Sequence, residues 1–351
     1  MVDWKKELRN RIATLEQLDK KIFLSEKEKN EIKTVLEKFR MSITPYYANL
    51  IDKTDPDCPI RKMVVPRIEE LTGPIYKPDL VEEKKAEPIK GIRRRYPDRA
   101  LIIPSYICPN YCRFCFRKFW VGRVEENLTY EEIDNVIKFI KNDSSLREII
   151  ITGGEPLVLN EQMLEYILSE LRKINHIEII RIGTRIPVVL PSRITKKLAR
   201  KLSEYSPLYI VTHFNHPKEI TKESKRACDI LANKGLPLFN QTVLLKGVND
   251  TIDVLKELFL KLLILRVKPY YLLHCIDTMG SHHFVTKVAL GAELLRKLQG
   301  YISGLALPTY VVPTYYGKIP ITHSYVLKYD NGVYTFKNYK DNVFEFVEPK
   351  E

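Results

Sequence analysis

The sequence contains no apolar run approaching the ~18 residues that a bilayer-spanning helix needs, so neither a membrane span nor a membrane partner is expected. Its opening residues, MVDWKKELRN, carry charge but no apolar core of a secretory leader, and the expected compartment is therefore the cytoplasm. There is no internal repeat and no low-complexity tract, which argues against a solenoid or a disordered array. Cysteine is scarce, six in 351 residues, and Cys58, Cys228 and Cys275 stand alone. The other three fall within eight positions, a crowding that points to metal or redox chemistry rather than to a disulfide framework. What is present is a globular composition, 44% hydrophobic and 29% charged, long enough for one large domain with additions or for two. The net charge of +13 could suggest nucleic acid. Lys and Arg are, however, interspersed with Glu, as in LSEKEKNEIKTVLEKFR, which is the pattern of a solvated helix face, and no nucleic-acid partner is expected.

Three regions follow from pattern. Residues 1–98 form an N-terminal part, helical to about 45, with apolar residues at three- and four-residue steps and Ser25 and Glu28 spaced as a helix-start capping pair. Over 46–98 Pro and Gly increase, and an irregular wrapping segment is expected. Residues 99–300 alternate β-branched apolar runs (ALIIPSY, REIIITG, EIIRIGT, PLYIVTH, PLFNQTVLL and KPYYLLHC) with amphipathic stretches such as TYEEIDNVIKFIKN and TIDVLKELFLKLLI. Six βα units predict an α/β fold with a parallel sheet and helices outside it. Periodicity does not separate a barrel from an open doubly wound sheet. Polar residues cluster just after the strands, where βα barrels keep their active sites: Cys108, the GGEP turn, Thr184-Arg185, His213, Asn215 and His274. Residues 301–351 are Tyr- and Pro-rich and are expected to leave the βα pattern.

Cys108-Pro-Asn-Tyr-Cys112-Arg-Phe-Cys115 follows the first strand. Thiolates suit iron–sulfur clusters and zinc, but structural zinc wants four ligands, usually in two pairs, and the chain has no second pair. Three cysteines on one loop can hold three irons of a cubane and leave the fourth iron open. The alternatives are a zinc site completed from elsewhere and buried structural thiols. This spacing, with an aromatic (Phe114) before the last cysteine, resembles the radical S-adenosylmethionine (SAM) superfamily. The resemblance implies a 4Fe–4S cluster held by the three cysteines, with SAM as the source of a carbon radical. It also implies that Gly153, Gly154 and Glu155 of the GGEP turn face the amino group of SAM. An external low-potential electron donor, such as a flavodoxin or ferredoxin, comes with it.

Longer strings (RMSITPYYANLID, RYPDRALI, RIGTRIPVVLPSRIT, THFNHPKEIT, NQTVLLKGVND and KPYYLL) resemble lysine 2,3-aminomutase and its relatives over nearly the whole chain. That resemblance implies a partial (β/α)6 barrel with an N-terminal helical extension, and pyridoxal 5'-phosphate (PLP) as a further cofactor. The reaction it implies moves the α-amino group of a small-molecule amino acid to the β-carbon. A member of the same family with a diverged reaction is the alternative.

By resemblance Lys318 is the lysine that binds PLP, and Arg95, Tyr96 and Arg99 contact that cofactor. Arg117 is the arginine for the substrate carboxylate, and Arg185, His213 and Gln241 lie near SAM. The residue types suit the tasks. An arginine fork matches phosphate or carboxylate, a Tyr can stack on a ring, and Gly317 permits close backbone approach beside the lysine. The sequence also departs from the lysine enzyme, which grips the distal ammonium of its substrate with two aspartates. Those positions here are Ile276 and Pro313, with Asp277 one residue off. Tyr315 and Tyr316 replace glycines, in a loop two residues shorter. Without carboxylates at these positions a buried ammonium would be unpaired, and lysine is in doubt as substrate. No counterpart of the lysine enzyme's Cys-rich, zinc-binding tail is found, which leaves a homo-oligomer open.

Overall fold

A computed structural model describes residues 3–73, 82–322 and 324–348. The wrapping segment expected over 46–98 is therefore described except for 74–81. Nine strands form one curled sheet in simple sequence order: β1 (Ile92–Arg94), β2 (Arg99–Ser105), β3 (Glu148–Gly153), β4 (Ile179–Gly183), β5 (Leu208–Thr212), β6 (Leu238–Leu244), β7 (Val267–His274), β8 (Thr309–Thr314) and β9 (Gly317–Pro320). Strands β2 to β8 run parallel, while β1 and β9 are antiparallel edges.

The two-residue period of each strand explains the architecture. Ile149 and Ile151 of β3, Ile180 and Ile182 of β4, and Leu272 of β7 are buried in the core on the outer face. The alternate residues Glu148, Ile150, Arg181, Gln241, Val243, Tyr271 and Leu273 line a cavity on the inner face. A doubly wound sheet would cover both faces with helices; here the inner face is a lumen, which makes the sheet a partial barrel. The helices supply the outer layer through one apolar stripe each. Tyr130–Lys141 buries Ile133, Val136 and Ile140 and starts at a capping box between Thr129 and Glu132.

The N-terminal helical region is broken into Trp4–Arg9, Leu15–Asp19 and Glu26–Leu36, because Thr14 and Ser25 cap new starts. The Ser25–Glu28 pair is a capping box: Glu28 N donates to Ser25 Oγ at 3.3 Å, and Ser25 N to Glu28 Oε2 at 2.9 Å. The C-terminal part does not leave the barrel at 300. After the helix Val288–Leu298, β8 adds a seventh parallel strand beside β7, and β9 folds back on it. A separate antiparallel sheet follows, built from β10 (Val326–Asp330), β11 (Val333–Lys337) and β12 (Val343–Val347). Side chains lace the two edges of the large sheet together. Lys318 N of β9 donates to Tyr96 Oη at 2.8 Å, and Arg95 Nη1 donates to the Thr314 carbonyl at 2.9 Å. Among the described residues no helix is long and apolar enough to cross a membrane.

Candidate active site

The candidate cluster, SAM, PLP and substrate-carboxylate residues named from the sequence line one cavity of about 480 Å3 inside the barrel, as do Thr184 and His274, while Asn215 does not. The cysteines sit on the loop after β2, which the N-terminal segment grips. Ser42 Oγ donates to the Pro109 carbonyl at 2.7 Å, Tyr111 N to the Ser42 carbonyl at 2.8 Å, and Thr44 N to Asn110 Oδ1 at 2.7 Å. From the other side Arg113, between Cys112 and Cys115, forms a bidentate pair with the buried Glu70, which also takes Lys118 at 3.0 Å. Burial alone would raise the Glu70 carboxyl, but Arg113 and Lys118 outweigh it and hold it below the ordinary range. Burial pushes the Cys108 thiol well up and the Cys115 thiol up to about 11.

Thiols in such a place ionise only when a cation takes their charge, as a metal does. Among the described residues no group of three or more His, Cys, Asp or Glu is gathered tightly enough for a single ion. A cubane spreads its ligands over different irons, and the donor set fits it.

The GGEP turn packs directly on this loop. Gly153 has φ +123°, and a Cβ there would meet the Ser105 carbonyl oxygen at 2.6 Å; a Cβ on Gly154 would meet that of Ile107 at 2.5 Å. Only glycines allow strand β3 to end against the Cys loop. Glu155 is buried and accepts from Thr184 Oγ1 and Arg185 N, each at 2.7 Å. Burial still dominates and pushes its carboxyl up to about 7. His213, hydrogen-bonded to the Gln241 backbone, is pushed down to about 4 by burial and by the charge of Arg185, so it is neutral at pH 7.

At the other end of the cavity lies Lys318 on β9. Gly317 has φ +114°, and a Cβ there would meet Tyr96 Oη at 2.8 Å, so the glycine makes room for Tyr96. The Arg99 guanidinium stacks 4.3 Å from the Tyr96 ring centroid, and Lys318 Nζ lies 5.5 Å from that of Tyr271. Desolvation and then Arg181, Arg99, Arg95 and Arg117 push the Lys318 amine down to about 8. A neutral amine among guanidiniums can attach a carbonyl compound whose phosphate the arginines would hold. The residues present therefore fit PLP.

One group of residues escaped the sequence reading, a set of buried acids: Glu83 holds Arg117 through bonds of 2.6 and 2.7 Å, and Glu219 holds Arg185 at 2.6 Å. Nothing in the local sequence marks them, since each pair spans 34 residues. The sequence did mark the positions of the lost aspartates. Ile276 and Pro313 both line the cavity, and Pro313 lies directly across the β8–β9 ladder from Lys318. Asp277 does not line it; its carboxylate oxygens lie 3.0 and 3.1 Å from His282 Nδ1.

Residues 102–259 match the radical SAM superfamily profile. L-lysine 2,3-aminomutase of Clostridium subterminale is 42% identical over 350 residues, 99% of this chain and 84% of that protein. The enzyme of the same description from Methanococcus maripaludis is 44% identical over 355 residues, 99% of this chain and 82% of that protein. Glutamate 2,3-aminomutase of Clostridioides difficile is 43% identical over 330 residues, 93% and 78% of the two chains. Thiol loop, glycine turn and similarity across the whole length agree: the chain belongs to the radical SAM superfamily and, within it, to the 2,3-aminomutase family of isomerases.

Proposed function

We propose that this enzyme is a radical SAM, PLP-dependent 2,3-aminomutase that moves the α-amino group of an L-amino acid to its β-carbon, and that its substrate is not lysine. The observation that carries the reading is one cavity with three thiols and the GGEP turn at one end and a depressed-pKa lysine among arginines at the other. Cys108, Cys112 and Cys115 would hold the 4Fe–4S cluster, and Lys318, Arg95, Tyr96 and Arg99 the PLP. When bound, the cluster with SAM supplies a carbon radical and the pyridine ring delocalises it.

The protein's own part is placement. Glu155, with the Gly153 and Gly154 backbone, offers oxygens to an ammonium. Arg117 keeps N–H donors beyond its Glu83 pair for a carboxylate. His213, neutral at pH 7, and Gln241 line the wall near the Cys loop, with Arg185 beside them. Val211, Val243, Leu273 and Ile150 keep the lumen apolar. An external low-potential one-electron donor of the flavodoxin or ferredoxin kind is required. We read 1–98 as support for the Cys loop, 99–300 as the main run of the barrel and 301–351 as the segment that extends it with β8 and β9 and brings in the PLP lysine.

Three features support a substrate other than lysine: Ile276 and Pro313 at the positions of the distal grip, Asp277 turned onto His282, and a lining in which basic side chains outnumber acidic ones. The test is an anaerobic screen of reduced enzyme with SAM, PLP and single amino acids, read for β-amino acid. A product from lysine alone would refute the substrate claim, and SAM cleavage without any β-amino acid would refute the aminomutase claim.

A further inference from the structure

Arg185 sits at the end of β4, where its backbone N–H donates to Glu155 Oε2. Its side chain crosses the floor of the cavity and uses each of its nitrogens. Nη1 donates to Cys112 Sγ at 2.6 Å, Nε to the His213 carbonyl at 3.2 Å, and Nη2 to Glu219 Oε1 at 2.6 Å and to Tyr47 Oη at 3.1 Å. Behind it the partners are themselves buried and hydrogen-bonded. Glu219 and Tyr47 are both wholly buried, and Tyr47 Oη donates to Glu219 Oε1 at 2.5 Å. Glu219 Oε2 accepts the backbone N–H groups of Asn215 and His216 at 2.5 and 3.0 Å. The clamp joins the N-terminal segment, the turn after β4 and the turn after β5. Among the described residues Cys112 is the one thiol of the three that receives a side-chain hydrogen bond.

We propose that Glu219 and Tyr47 are positioning residues that hold the Arg185 guanidinium on the Cys112 sulfur and thereby set the reduction potential of the cluster; the proposal rests on the cluster reading above. The step concerned is the gain of one electron by the cluster, without a proton, from an external reductant. The added negative charge spreads onto the ligand sulfurs, where a fixed cationic N–H donor stabilises it and raises the potential. A hydrogen bond to a charged group is worth enough to shift such an equilibrium roughly tenfold. The carboxylate and the phenol hold the donor in the one orientation that reaches the sulfur.

The test reconstitutes wild type, Glu219→Gln and Tyr47→Phe anaerobically, counts iron, and titrates each with reductant under electron paramagnetic resonance. With iron content unchanged, Glu219→Gln should leave about tenfold less reduced cluster at a fixed poise, a downward shift of about 59 mV for one electron. Tyr47→Phe, which changes no charge, should shift the same way by roughly threefold. If Glu219 acted only through its negative charge, removing it would raise the potential. A rise, or no shift in either variant, overturns the proposal. Where the buried pair is needed for folding and Glu219→Gln does not accumulate, Tyr47→Phe decides alone. A wild type that assembles no cluster refutes the functional reading instead, so the two failures are told apart.

Discussion

Around the Cys loop three arginines that touch the cavity are each matched by a buried carboxylate: Arg113 by Glu70, Arg117 by Glu83, Arg185 by Glu219. Around Lys318 the pattern differs. Arg181 pairs with Glu148, but Arg99 leans on the half-exposed Asp98, Arg95 donates to a backbone carbonyl, and Lys318 forms no ion pair among the described residues. Buried bidentate pairs fix geometry, and breaking one by removing a partner costs about 3 to 5 kcal/mol. Where cations outnumber acids the effect is the opposite: the arginines push the Lys318 amine down and favour an anion. One end of the cavity is built to stay still and the other to receive.

The contrast breaks most decisively at the cluster end. Cys112→Ala should abolish SAM cleavage and lower iron from about four per chain, while far-ultraviolet circular dichroism stays that of the wild type. Tetrahedral zinc without iron in anaerobically reconstituted wild type would overturn this assignment. At the receiving end, borohydride should fix PLP on Lys318, and Lys318→Ala should lose the visible absorbance of the bound cofactor. The amine is pushed from 10.5 down to about 8, so it is uncharged above pH 8. Capture of PLP by the apoprotein should therefore rise about tenfold per pH unit up to 8 and then level off. A rise continuing to pH 10 would mean that the neighbouring arginines do not act on it.

Third in size is substrate choice. With Ile276 and Pro313 where an ammonium would end, kcat/KM for lysine should be lower by about a hundredfold or more than for the preferred amino acid. Asp277→Asn should leave that ranking unchanged; a wild type that prefers lysine, with the preference lost in Asp277→Asn, would show that Asp277 reaches the substrate after all.

The smallest effect concerns Glu155, whose carboxyl is raised from 4.5 to about 7. The native state then holds its proton more tightly than the unfolded chain does. This contribution is full below pH 4.5 and is lost as the pH rises through 7. The apoprotein should lose roughly 2 to 3 kcal/mol of stability over that interval through this group. Urea midpoints across the range should show the loss, and Glu155→Gln should flatten it.

The sequence revealed the parts whose signal is local. Six strands were legible because β-branched runs such as REIIITG end at turns, and the Ser25–Glu28 cap was legible because its spacing is its mechanism. Strand β8 was not, since TYVVPT carries a proline and reads as an edge or a loop. The break at Thr14 was not, because the apolar steps run across it. Of the site, the residues on motifs were legible and their partners were not. Glu70, Glu83 and Glu219 look like any solvated acid until folding sets them 34 to 43 residues away in sequence against an arginine.

The seam between β1 and β9 has a consequence for stability. In a closed barrel the two edge strands would be joined by a ladder of backbone hydrogen bonds. Here the wall beside Lys318 is fastened by a phenol and a guanidinium, two bonds worth roughly 1 to 3 kcal/mol together. The lysine side of the sheet is thus held by side chains, where the other strand boundaries are held by backbone ladders.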